Sequence, residues 1–237
     1  MTQELFTGKA ESYATSRPDY PEAVMDYIET LVSPDATFAD IGAGTGIFTR
    51  LIAARGYRVY ALEPNPDMSS QLEKALRSYP RVTIVAATAE ATTLPERSID
   101  VITSAQAMHW FDLNAFRREC LRIGKSDAIA ISVYNVTPGG NSVGLSQRSS
   151  LAFFHEPVVG DFPNPISFTR ERWLHYMTSH SHDPLPSDEG YAAHIAQANA
   201  IFDHDNIGGV LTRNVVTTVF SEHLRTGRDG SGGAQGT

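Results

Sequence analysis

The run Phe38-Ala39-Asp40-Ile41-Gly42-Ala43-Gly44-Thr45-Gly46 constrains this chain more than any other feature. A short apolar stretch ends on an acid and turns through three glycines into a segment with helical spacing. Such a strand–turn–helix junction brings backbone against a ligand, because glycine lacks a Cβ and tolerates the sharp bend. Dinucleotide and phosphate sites both use junctions of this kind, and spacing separates them. A dinucleotide fingerprint places glycines at its first, third and sixth positions. Here the first, third and fifth are Gly42, Gly44 and Gly46, and the sixth is Ile47. A P-loop ends a longer glycine loop on Lys and Ser or Thr, and no such ending follows Gly46.

The segments around the junction alternate strand and helix. The pattern predicts strands over 37–41, 58–62, 82–86, 99–103 and 128–133. It predicts helices from about Pro21, over 45–55, 66–79 and 114–123. The run 128–133 is apolar without alternation, as in a strand covered on both faces. Five strands separated by helices imply an α/β, Rossmann-like, doubly wound sheet, mostly parallel. After Tyr134 the order loosens. A helix is expected over 144–154 and a loop over 155–165, where three prolines cluster. Further helices are expected over 168–179 and 187–202, and an antiparallel last strand over 214–220. The organisation expected is one domain over 1–224. It comprises an N-terminal helical lid (1–34), a cofactor-binding core (35–134), a helical substrate cap inserted after strand five (135–208) and the last strand (209–224). The glycine-rich tail 225–237 is expected to be disordered.

Composition narrows the function classes. Hydrophobic residues make up 41% of the 237 and charged residues 19%, an ordinary globular balance. A net charge of −8 argues against a nucleic-acid partner, which needs clustered Lys and Arg. No apolar run approaches the roughly 20 residues of a membrane span. The first residues lack the basic and apolar regions of a secretory signal, so a cytoplasmic protein is expected. The single cysteine, Cys120, leaves no disulfide framework and reads as a core thiol. His175, His180, His182 and Asp183 invite a metal reading, but i, i+2 spacing does not put His180 and His182 on one helix face, and no metal site is expected. Composition leaves oligomeric state open.

Four further segments sit in order around the glycine turn. Glu63 ends strand two, 17 residues after Gly46. A carboxylate there can accept hydrogen bonds from both hydroxyls of a ribose, in nicotinamide sites as in others. The chain continues Pro64-Asn65-Pro66-Asp67-Met68. Next comes Ala87-Thr88-Ala89-Glu90-Ala91-Thr92-Thr93-Leu94-Pro95, before strand four. Then Ser104-Ala105-Gln106-Ala107-Met108-His109-Trp110-Phe111-Asp112 follows strand four. The N-terminal segment holds Phe6, Lys9-Ala10, Tyr13, Arg17-Pro18 and Tyr20-Pro21. Together with D-x-G-x-G-x-G, this set resembles the class I S-adenosylmethionine-dependent methyltransferases, in the branch of methyltransferase type 11, ubiquinone-biosynthesis-like and trans-aconitate methyltransferase-like proteins. The resemblance covers about residues 5 to 133. It implies S-adenosylmethionine as cofactor and assigns it Tyr13, Arg17, Asp40, Gly42, Ala43, Gly44, Glu63, Pro64, Met68, Ala89, Glu90 and Ser104. Arg17 would reach the methionine carboxylate, Met68 the adenine face, and Ala89 with Glu90 the adenine edge. Two departures stand out. Ala87 replaces a common glycine, and Gly124-Lys125-Ser126-Asp127 stands where relatives carry a basic-Pro-Gly-Gly turn.

Methyl transfer from a sulfonium is an in-line displacement with a neutral leaving group, so orientation carries most of the catalysis. A general base is needed only where the acceptor holds its proton. His109 is the candidate base, with pocket closure as its other reading. Tyr20, His109, Trp110 and Tyr134 are the expected acceptor pocket. No N/D-P-P-Y run follows strand four and no Pro-Cys pair is present, so base-modifying DNA chemistry lacks its marks. A small-molecule acceptor methylated at O, N or C is expected. The alternatives are a methyltransferase fold that binds the cofactor for another reaction or none, and, further off, a nicotinamide oxidoreductase.

Overall fold

The computed structural model describes residues 17–137, 143–179 and 183–224. Tyr13, His180, His182 and the tail 225–237 lie outside the described residues. Seven strands form one sheet in the order β3-β2-β1-β4-β5-β7-β6. They are β1 (Thr37–Ile41), β2 (Arg58–Leu62), β3 (Val82–Val85), β4 (Ile99–Ala105), β5 (Gly124–Val136), β6 (Val158–Phe168) and β7 (Leu211–His223). The first five run parallel, and β7 is antiparallel to both β5 and β6. The helices are α1 (Glu22–Glu29), α2 (Ile47–Ala54), α3 (Pro66–Leu76), α4 (Leu113–Ile123), α5 (Val143–Phe153), α6 (Arg170–Met177) and α7 (Tyr191–Asp205).

The inner strands are apolar on both faces because helices cover both. On one face Val24, Met25 and Ile28 of α1 and Phe48 and Ile52 of α2 meet Phe38, Val59, Val101, Ile129, Ile131 and Val133. On the other, Phe116, Cys120 and Ile123 of α4 and Phe153 of α5 meet Ala39, Ile41, Ile102 and Ala130. The helix starts follow from capping chemistry. Asn65 accepts from the N–H groups of Asp67 and Met68, with Pro66 already inside the helix. Asp112 does the same for Asn114 and Ala115 at α4. No helix among the described residues is long and apolar enough to cross a membrane.

The segment after β5 differs from the expected helical cap. Residues 158–168, expected mostly as loop, form strand β6 at the sheet edge. Pro163 and Pro165 are the reason for the misreading and also the reason the strand tolerates them. Backbone N–H groups two residues apart point the same way, so both missing donors fall on one side of the strand, and at an edge one side has no partner. Asn135 and Val136 likewise belong to β5 and pair with Thr217 and Val216 of β7. Pairing of β6 with β7 continues to Phe168↔Leu211, past the end of β5 at Val136↔Val216. The β6–β7 ribbon therefore projects beyond the carboxyl edge of the parallel strands. Ile166, Phe168, Leu211 and Val215 on that projection hold Trp173 of α6 and Phe202 of α7. The helices of residues 170–205 thus stand on the crevice side of the sheet.

Candidate active site

The sheet reverses its winding between β1 and β4, and ligands bind open α/β sheets outside the carboxyl ends of the strands at such a point. The glycine turn lies there. Gly42, Gly44 and Gly46 all have positive φ, at 70°, 57° and 88°. Two of them are also sites of close approach. A Cβ on Gly42 would sit 2.6 Å from the Ala107 Cβ, and one on Gly46 2.7 Å from Leu72 Cδ1. A Cβ on Gly44 would meet nothing within 4 Å among the described residues. The first and last glycines press the turn onto β4's exit and onto α3, and the middle one presents bare backbone to open space.

Glu63 stands beside that open backbone. Gly44 N–H donates to its Oε2 at 2.8 Å and Asn65 N–H to its Oε1 at 2.9 Å. Each oxygen keeps lone pairs for a further donor. The residue is 8% exposed, and burial raises its pKa above the ordinary carboxylate value, with the two backbone bonds opposing. A buried carboxylate fixed at both oxygens and facing a bare turn suits a vicinal diol. Ser104 Oγ at the end of β4 and Thr45 Oγ1 in the turn are buried with no hydrogen-bond partner among the described residues, and each can bond a polar ligand.

Asp40 sits differently from its expected place at the cofactor. It is 1% exposed beneath the turn, where Thr49 Oγ1 donates at 2.5 Å and Thr103 Oγ1 at 2.8 Å. Both its oxygens are engaged in tying β1 to α2 and β4. Burial pushes its pKa up to about 6, against the two threonine bonds, and the Glu63 charge adds to the rise. A carboxyl group with a raised folded-state pKa stabilises the fold fully below its unfolded value and loses that contribution as pH rises through about 6. The stability of the protein relative to an Asp40→Asn variant is therefore expected to fall by up to about 3 kcal/mol between pH 4 and pH 7. Thermal unfolding of both proteins across that range reads the difference directly, and a constant gap would contradict the burial assigned to Asp40.

The adenine-edge loop is held from below by a group that sequence reading missed. Glu119 on α4 accepts from Thr92 N–H at 2.8 Å, Thr92 Oγ1 at 2.5 Å and Arg122 Nε at 2.7 Å. The Arg122 guanidinium is the main reason its pKa drops to about 2. Above it, Ala89 is buried and Glu90 accepts from Asp112 N–H at 3.0 Å, which joins this loop to the segment after β4. Met68 is 3% exposed in the first turn of α3, and Pro64 is half-buried beside it.

Three expected site residues are placed otherwise. The Arg17 guanidinium donates to the Ser179 carbonyl at 3.4 Å and lies 5.8 Å from the Tyr176 ring centre, so it bridges to the end of α6. Tyr20 is in the core under α1, edge-on to Phe48 at 5.2 Å. Tyr134 is 3% exposed with its ring 5.9 Å from Phe220, and burial first, then the Asp161 charge, pushes its pKa up to about 12. Large rings on inner strands and helices gain more from core burial than from a pocket wall. His109 and Trp110 occupy the short 3-10 turn Met108–Trp110 at the crevice, with ring centres 4.8 Å apart, and α5 lies against that turn. Gln106, just before it, has φ of 56°, a conformation uncommon outside glycine and concentrated at functional sites.

Comparison with known proteins agrees with this geometry. A family model described as a methyltransferase domain matches residues 39–132, which run from the glycine turn to β5. A methyltransferase-like protein of Schizosaccharomyces pombe, itself uncharacterised, is 32% identical over 135 residues, covering 56% of this chain and 52% of that one. The chain spans about half the length of the curated relatives it matches at such identities. A solved structure from Anaeromyxobacter dehalogenans, with a provisional type II methyltransferase assignment, superposes with a TM-score of 0.67 at 23% identity. It covers 88% of this chain and 98% of that chain. Geranyl diphosphate C-methyltransferase from Streptomyces coelicolor, solved with S-adenosyl-L-homocysteine, shares the fold at a TM-score of 0.51 and 16% identity, over 86% of this chain and 74% of that chain. Turn, carboxylate, sheet order and family match coincide on the same stretch, and residues 39–132 are similar to methyltransferase domains.

Proposed function

We propose that this protein transfers a methyl group from S-adenosylmethionine to an O, N or C atom of a small-molecule acceptor. The observation that carries the reading is the pairing of Gly44 and Glu63: open backbone at a positive φ, with its own N–H orienting a buried carboxylate. The cofactor, when bound, supplies an activated methyl on a sulfonium. The chain's own part is placement. Glu63 would hold the ribose hydroxyls, Met68 and the Ala89–Glu90 loop would line the adenine, and Ser104 would offer its hydroxyl near β4's end. His109 and Trp110 would form the acceptor side, with α5 and the helices carried by the β6–β7 ribbon excluding water. Holding two reactants in line contributes up to roughly 7–11 kcal/mol without any acid–base dyad. Nothing in this arrangement requires His109 to move a proton unless the acceptor is protonated at the working pH.

The test is transfer of label. The protein, incubated with methyl-labelled S-adenosylmethionine and a metabolite panel, is expected to move label into at least one small molecule. S-adenosylhomocysteine binding with no label moved to any member or to a cell extract would favour a cofactor-binding fold of other function.

A further inference from the structure

The carboxyl ends of β4 and β5 carry two carboxamides whose orientations are each forced by their neighbours. Asn164 of β6 donates Nδ2–H to the Asp19 carbonyl at 2.9 Å, which fixes which end of that amide is nitrogen. The same Nδ2 faces Asn135 Oδ1 at 3.2 Å, and the Thr217 hydroxyl donates to that oxygen at 2.5 Å. A nitrogen in its place would oppose a donor, so Asn135 Nδ2 must point away from the network. It forms no hydrogen bond among the described residues, and Asn135 is only half-buried. Gln106 repeats the logic. Its backbone N–H donates to the Val133 carbonyl at 2.9 Å and its Nε2 to the Asn135 carbonyl at 3.3 Å. Its Oε1 is thereby turned away and accepts no hydrogen bond among the described residues.

Both side chains lie where an acceptor would. β4 ends in register at Ala105↔Val133, so Asn135 rises past it, next to the turn that carries His109. Thr217, which anchors Asn135, is 0% exposed, so the orientation is set by a buried group. Gln106 holds its place in the left-handed region, at a cost of about 1–3 kcal/mol.

We infer that Asn135 and Gln106 are the acceptor-recognition pair, presenting one fixed N–H donor and one fixed C=O acceptor. This rests on the methyltransferase reading above. A ligand complementary to the pair carries a carbonyl or hydroxyl oxygen for Asn135 with an O–H or N–H for Gln106. A hydroxy-carbonyl compound has both. A dicarboxylate offers Gln106 no donor, and an alkylammonium offers Asn135 no acceptor.

The experiment uses methyl-labelled S-adenosylmethionine with three sets of acceptors: neutral hydroxy-carbonyl compounds, dicarboxylates and aliphatic amines. S-adenosylhomocysteine affinity is measured alongside. The wild type is expected to label the first set. Asn135→Asp keeps an oxygen for Thr217 and Asn164 while replacing the outward donor. It is expected to lower kcat/KM on that set about tenfold or more, with S-adenosylhomocysteine affinity within about twofold of wild type. Gln106→Met, which removes the outward acceptor, is expected to act in the same direction and serves if Asn135→Asp does not fold. Label confined to dicarboxylates or amines, or unchanged kcat/KM in both variants, would overturn the pair's role and leave the methyltransferase reading standing, and label in none of the sets would overturn the pair's role. A wild type that does not bind S-adenosylhomocysteine would remove both.

Discussion

Gly42→Ala is expected to destabilise the protein by about 3 kcal/mol and to lower its thermal midpoint by about 6–12 °C. Two costs add. Its φ of 70° is left-handed, worth about 1–2 kcal/mol for a residue with a Cβ. The new Cβ would also lie 2.6 Å from the Ala107 Cβ and 3.2 Å from the Phe111 ring. Ala107 has no flexible end to move, because its Cβ is fixed by the backbone leaving β4, so the strain must be taken up by the turn or by the segment that carries His109. Gly44→Ala is the internal control. It bears a similar backbone cost at 57° but meets nothing within 4 Å among the described residues. A calorimetric melt of the two variants separates the terms, and equal midpoints would contradict the close approach at Gly42.

Glu63→Ala is expected to weaken S-adenosylhomocysteine binding by about 30-fold or more while leaving the fold intact. Hydrogen bonds to a charged group contribute about 1.5–3 kcal/mol each, and a ribose offers this carboxylate two. The stability cost is small because the charge is itself penalised by burial, which raises its pKa, and because its removal relieves that penalty as it frees the Gly44 and Asn65 N–H groups. Titration of folded variant and wild type reads the effect, and equal affinities would end the ribose assignment.

Much of the sheet was legible from the chain because its signals are local. Strands β1 and β2 fall on 37–41 and 58–62 as expected, each a short apolar run bounded by turn residues. Asn65-Pro66 announces the start of α3 by cap chemistry alone. The glycine turn and Glu63 lie together because both depend on short-range geometry at adjacent strand ends. What escaped depends on distant partners. Pro163 and Pro165 read as loop until β7 shows which side of the strand they face. Glu119 reads as an ordinary helix-surface acid, yet its partner Thr92 lies 27 residues back. Tyr20 and Tyr134 read as pocket residues because aromatics near a site are equally good core residues, and only Phe48 and Phe220 decide between the two. Gln106 stands in the run Ser104–Asp112 but gives no sign there of its role, and Asn135 gives none, since their orientation is imposed by Thr217, Asn164 and a carbonyl on the neighbouring strand.

The central claim is that the turn at Gly42–Gly46, with Glu63, holds S-adenosylmethionine and not a nicotinamide dinucleotide. Parallel calorimetric titrations with S-adenosylhomocysteine and with NADH test it most directly. Saturable binding of the thioether with one site per chain, and no heat from NADH, is the predicted result. Saturable NADH binding with none of the thioether would contradict it.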